Sequence, residues 1–139
     1  MISRSAALGY VTAVYVGLTF HVLAVSAADI EGAWTTDASA CQKIFTKTGA
    51  GISFVSEAPL SGSGFIIEKS RIRGKLGSCN ISHRRDQGPQ INFIATCSSA
   101  VITDTLHFSL RIDGENKLIR EFSGIPELQI VYERCSFNE

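Results

Sequence analysis

The sequence predicts a mainly β protein, a small antiparallel up-and-down β-barrel of about eight strands with one short N-terminal helix. Three observations lead there. From Gly62 to Cys135 the chain is a succession of short segments rich in β-branched and aromatic residues, most of them separated by compact turn signals. Several of these segments alternate apolar and polar residues with a period of two, which gives a strand one buried and one wet face. Four cysteines, Cys41, Cys79, Cys97 and Cys135, are spread so that bonds between them would tie an early element to the last one.

Ahead of the strands stands a leader. Residues 1–28 carry Arg4, an apolar run from Ala6 to Val25 and the small residues Ser26, Ala27 and Ala28, which is the form of a secretory signal peptide. The mature chain is expected to begin at Ala28 or Asp29, in the periplasm or outside the cell. An uncleaved anchor is the competing reading, because the run approaches the roughly 20 apolar residues that span a bilayer; His21, Thr12 and Thr19 dilute it. No cysteine stands at the cut, so a lipid anchor is not expected there. Residues 29–139 then form a single disulfide-stapled domain, long enough for one core.

The elements follow in order. A short strand is expected at Gly32–Thr35, after which Asp37 caps a helix over Ala38–Lys47 that Gly49 ends. Cys41, Ile44 and Phe45 share one face of that helix. Residues 52–54 form a further strand. Strands are then expected at 64–68, 71–74, 78–84, 90–98, 104–112, 117–122 and 128–135, with turns at Lys69-Ser70, Asp113 to Asn116 and Gly124 to Pro126. In 104–112 the alternation is clean: Leu106, Phe108, Leu110 and Ile112 fall on one side, His107, Ser109 and Arg111 on the other. In 117–122 the adjacent Leu118 and Ile119 leave the register open. Side chains of Ile, Leu and Phe are expected to fill a barrel this small.

An even cysteine count in a small exported domain reads as disulfides, and intervals of 37, 17 and 37 residues contain no C-x2-C metal-binding pair. Three pairings are possible, and the local pattern favours one. Folding 79–97 about Gly88 sets Cys79 against Cys97, Ile81 against Ala95 and His83 against Phe93. Directly opposed strand residues have Cβ atoms about 4.5–5.5 Å apart, near enough to bond after a modest adjustment. Cys41 is then left for Cys135.

Gly32-Ala33-Trp34 at the head of the first strand, followed by a run of antiparallel strands, resembles the G-x-W opening of lipocalin-like barrels. That resemblance implies that Trp34 closes one end of the barrel and that Arg134, near the end of the last strand, packs over it by cation–π contact. The whole pattern, Gly32 and Trp34, then Cys41, Cys79, Cys97 and Tyr132-Glu133-Arg134-Cys135, is similar to small exported bacterial proteins of unassigned function. It also resembles periplasmic metalloprotease inhibitors, from which it departs in having four cysteines and hardly any arm before Gly32.

Chemistry is sparse. With Arg4 removed, 12 basic residues face 13 acidic ones, so bulk charge calls for neither nucleic acid nor an anionic membrane. No cofactor or metal is expected. His83 and His107 have no nucleophile placed beside them, and a catalytic reading would need a cleft that gathers one of them with a carboxylate. Asp86, Asp104 and Asp113 are turn or strand-end residues, and the glycine-rich 62–65 is a bend. Arg71, Arg73, Lys75, Arg84 and Arg85 form a basic cluster suited to an acidic protein or a glycan, weighed against a solvated strand face that discourages edge pairing. Asn80-Ile81-Ser82 is a glycosylation sequon only in a eukaryotic host. The expectation is a monomeric, non-enzymatic binding or interaction module. Inhibition of a periplasmic or secreted hydrolase is the alternative, and carriage of a small apolar ligand is the third reading.

Overall fold

The computed structural model describes residues 27–58 and 64–137. The signal-peptide expectation for 1–28 falls on residues outside that range except for Ala27 and Ala28, and the first half of the glycine-rich bend at 62–65 lies outside it as well. Among the described residues ten strands run in chain order: β1 Gly32–Thr35, β2 Phe45–Thr48, β3 Gly51–Phe54, β4 Gly64–Glu68, β5 Arg71–Gly74, β6 Gly77–Gln87, β7 Gln90–Ser99, β8 Thr103–Ile112, β9 Lys117–Glu121 and β10 Gln129–Arg134. Eight of them close into an antiparallel barrel in the order β1-β10-β9-β8-β7-β6-β5-β4, while β2 and β3 pair only with each other. The expected fold class is therefore observed, with a helix and hairpin inserted between the first two barrel strands.

The alternation predicted from sequence is the device that fills the barrel. Along β7, Ile91, Phe93 and Ala95 are buried while Asn92, Ile94 and Thr96 are not. Their neighbours on the inner face include Ile30, Trp34, Ile67, Leu110, Leu118 and Tyr132. The register left open in 117–122 is decided by pairing. Leu118 stands between Ile112 and Tyr132 and joins the barrel core, so Ile119 is turned to the opposite face, where it is also buried. β8 keeps the expected alternation, yet Leu106 is 37% exposed, because β9 pairs only with Ser109–Ile112 and leaves the first half of β8 without a neighbour on that side.

Three expectations are corrected. The helix predicted over Ala38–Lys47 is a 3-10 turn at Ala38–Ala40 followed by one α-turn, α1, at Cys41–Ile44. Asp37 does cap it, accepting from the Ser39 backbone N–H at 2.9 Å. Phe45–Thr48 leaves the helix as β2, because Thr46 and Thr48 are β-branched and the turn before Gly51 lets the segment pair with β3. Phe45 then meets Phe54 with ring centroids 5.2 Å apart.

The second correction concerns the long hairpin. Cys79 opposes Cys97 and Ile81 opposes Ala95 as expected, but a bulge at Ser82 then pairs His83 with Ile94 and Arg84 with Phe93. The tight turn at Gly88-Pro89 pairs Gln87 with Gln90, one residue out of step with the cysteine pair, and the bulge absorbs the difference. It sends Arg84, not His83, to the side of the strand that faces the barrel.

The third concerns the core. One core was expected, and the buried apolar residues divide into two clusters. The second holds Ala33, Cys41, Ile44, Phe45, Ala58, Ile66 and Cys135, with Ile52, Phe54 and Val55 packed against it. It lies between the outer face of β1 and β4 and the inserted α1–β2–β3 unit. Ala33 and Ile66 are its barrel-wall members, and they point away from Trp34 and Ile67 by the strand's period of two.

Candidate functional site

The two ends of the barrel are built differently. One is plugged. Residues 28–31 lie across it, with Ile30 fully buried. Trp34 Nε1 donates to the Ile30 carbonyl at 2.9 Å, and the Arg134 guanidinium carbon stands 4.5 Å from the Trp34 ring centroid. Arg134 Nη1 and Nη2 donate to the carbonyls of Glu31 at 2.6 Å and Asp29 at 2.9 Å. Trp34 and Arg134 are direct cross-strand partners, so their contact follows from register. Arg84 adds a second fastening. It donates to the Ala28 carbonyl at 2.7 Å and twice to Asp86 at 2.8 Å, while Asp86 accepts from the Ala28 N–H at 3.2 Å. Those bonds from Arg84 hold the Asp86 carboxyl below its usual pKa, against a smaller opposing effect of burial.

The other end, where the β5–β6, β7–β8 and β9–β10 connections lie, is open. There the interior holds a cavity of about 220 Å³ lined by Phe65, Ile67, Ile72, Gly74, Gly77, Cys79, Phe93, Phe108, Leu110, Arg120 and Tyr132. The expectation of a filled barrel thus holds for the plugged half alone. Gly77 also allows close strand approach, since a Cβ there would lie 2.5 Å from the Ser98 carbonyl oxygen. The same end carries exposed apolar residues in its connections: Leu76 and Ile102 are each 63% exposed, Val101 is 92% exposed, and Ile125 and Leu128 stand out from the β9–β10 loop. A wet loop region with this many apolar side chains around an apolar opening is an uncommon surface for a monomer.

Both disulfides take the expected pairing. Cys41–Cys135 joins α1 to the residue after β10 across 94 positions, and Cys79–Cys97 spans 18. The first is buried in the outer cluster; the second lies against the barrel interior, where Cys79 lines the cavity.

The basic cluster is dispersed by the fold. Arg73 forms an ion pair with Glu68 at 2.8 Å and donates to the Ile52 carbonyl at 2.7 Å, and Lys75 donates to the carbonyls of Val55 and Ser56. Arg84 belongs to the plug. Arg71 reaches Ser78 Oγ at 3.4 Å, and Arg85 lies on the outer face of β6. Arg73 and Lys75 hold the β3 end of the inserted unit against the barrel.

On the outer face of β6 to β9, cross-strand rungs set His83, Ile94 and His107 beside Arg85, Asn92, Ser109 and Glu121. Together with Phe93, Phe108, Arg120 and Phe122, which come from the other side of the strands, they line an open cleft of about 490 Å³. The cleft does gather both histidines with a carboxylate. That carboxylate is already engaged: Glu121 accepts from Arg111 Nε at 2.9 Å and Gln90 Nε2 at 3.3 Å, and the Arg111 bond holds its pKa low. Among the described residues neither histidine hydrogen-bonds to a carboxylate, and no cluster of His, Cys, Asp and Glu is arranged to hold a metal.

Sequence reasoning missed Arg120. Its guanidinium carbon lies 4.8 Å from the Phe108 ring centroid and 4.7 Å from that of Phe122. The signal was present in "KLIREF": once Leu118 is inward, so is Arg120, an arginine where an apolar residue is the default. No family model matches the chain, and no curated protein or solved structure matches it either.

Proposed function

We propose that the protein is an exported, non-catalytic binding module that carries a small apolar ligand inside a lipocalin-like barrel. The observation that carries this reading is the apolar cavity at the unplugged end. Its volume of about 220 Å³ exceeds the roughly 150 Å³ of an engineered apolar cavity that takes up benzene, and it lies below the ~300–1,000 Å³ of pockets for drug-sized molecules. The ligand is therefore a single ring or a short alkyl chain, and a longer molecule would leave its remainder outside. Apolar side chains around the opening support entry from that end.

Export is supported by the leader sequence together with two disulfides, which persist in oxidising compartments. Among the described residues no helix is long and apolar enough to cross a membrane. The test is titration of the oxidised protein with 1-octanol, followed by NMR. Saturable shifts at Ile67, Leu110 and Tyr132 are expected, and Ile72→Trp, which fills the cavity, should weaken binding at least about tenfold. Shifts that never saturate, or that survive the Ile72→Trp change, would remove the reading.

A further inference from the structure

We infer that the carried ligand is an anionic amphiphile, its apolar part in the barrel cavity and its anionic head on Arg120. This rests on the cavity-binding reading above and adds the chemistry of the head group.

The argument starts from what arginines do elsewhere in this protein. Arg73, Arg84 and Arg111 each pair with a carboxylate, and Arg134 is taken up by two backbone carbonyls. Arg120 is half-buried like them, yet among the described residues it has no ion pair and no side-chain hydrogen bond. The neighbouring carboxylate does not serve it, because Glu121 points to the opposite face of β9 and is engaged by Arg111. What Arg120 has are two aromatic rings, Phe108 and Phe122, and a place between the apolar cavity and the open cleft, since it lines both.

That environment selects a ligand class. Contact with the two rings restrains the rotamers of the Arg120 side chain, and its N–H groups, which have no hydrogen-bond acceptor among the described residues, are left to donate. A planar fork of donors fits a carboxylate, a sulfonate or a phosphate monoester, which accept two parallel bonds. Low-polarity walls strengthen such a bond relative to water, and restraint by the rings lowers the entropy lost on binding. The remaining lining is nearly all apolar, so it offers little to a polar tail and suits a short alkyl or aryl one.

The experiment compares three ligands of one chain length on the oxidised protein at neutral pH by calorimetry: octanoate, 1-octanol and octylammonium. Octanoate should bind at least about tenfold more tightly than 1-octanol, as expected for bonds to a charged group, and octylammonium most weakly. Arg120→Met should abolish the octanoate preference and leave 1-octanol within about threefold. Should that variant fail to fold, Phe122→Ala, which removes one of the two rings that restrain Arg120, should still narrow the gap between octanoate and 1-octanol. Equal binding of octanoate and 1-octanol overturns the anion inference and leaves apolar carriage standing. A preference that persists in Arg120→Met overturns the assignment to Arg120. If none of the three binds, cavity binding itself falls, and this inference with it.

Discussion

Gly32 has a φ of +130°, a backbone conformation that favours glycine, and a Cβ there would lie 3.7 Å from Arg134 Nη1. The G-x-W triplet thus has a physical meaning at each end: the glycine lets the chain turn from the plug into β1 beneath Arg134, and the indole closes the barrel. Gly32→Ala should cost about 1–3 kcal/mol in urea unfolding, whereas a strain-free site would show a change near zero or a gain. The Arg84–Asp86 pair makes a second residue-level prediction. Asp86 has a folded pKa below its unfolded value of about 3.9, so its contribution is complete above that pH and is lost as pH falls through the folded value. Asp86→Asn should therefore cost about 1–2 kcal/mol at pH 7. At pH 2 the variant and the parent should unfold at more nearly equal denaturant; an undiminished gap there would mean that the carboxylate's charge is not what matters.

Among the elements, the disulfides were the most legible in advance and the helix the least. Cysteine count, hairpin alternation and a central turn favoured the pairing the structure shows, because two cysteines on one face of a hairpin come close across the strands. The two bonds should differ in worth. On the chain-entropy model a loop of about 94 residues is worth close to 4.7 kcal/mol and one of 18 about 3 kcal/mol. Calorimetry should accordingly show Cys135→Ser melting below Cys79→Ser, and the reverse order would show that native-state packing outweighs loop length. The expected ten-residue helix was not realised because its apolar stripe ends at Phe45, and Thr46 and Thr48 gain more from pairing with β3 than from continuing a helix with a solvated face. The bulge at Ser82 was invisible for a related reason. Register is set at both ends of a hairpin, here by the cysteine pair and by the Gly88-Pro89 turn, and only pairing shows that they disagree by one residue.

For the molecule as a whole, closure by β1 against both β10 and β4 pairs the first and last barrel strands, leaving open edge where β8 runs past β9 and β6 past β5. The β2–β3 hairpin has no such continuity and is held to the barrel wall by the outer cluster, by Arg73 and Lys75, and by the bond at Cys41. Amides of β2 and β3 should therefore exchange with solvent faster than those of β7, which is paired along its length on both sides. Equal protection would show that the inserted unit and the barrel unfold together.

Sequence alone determined the barrel and its disulfides, since alternation, turns and cysteine spacing are local or pairwise features that each strand carries with it. The Trp34–Arg134 closure was expected only from the resemblance to lipocalin-like barrels. The basic cluster illustrates the limit. Arg71 and Arg73 share one face of β5, but Lys75 lies in the β5–β6 connection, Arg84 faces the barrel and Arg85 the outside of β6. Arg73, Lys75 and Arg84 are drawn to carbonyls and carboxylates that only folding brings near. Arg120 is the converse case. Its meaning depends on Phe108 from β8, on Phe122 and on a cavity lined from several other strands, and a void has no residue of its own. Tertiary structure decided the open end because empty space and an unpaired charge are properties of the assembled barrel, not of any segment in it.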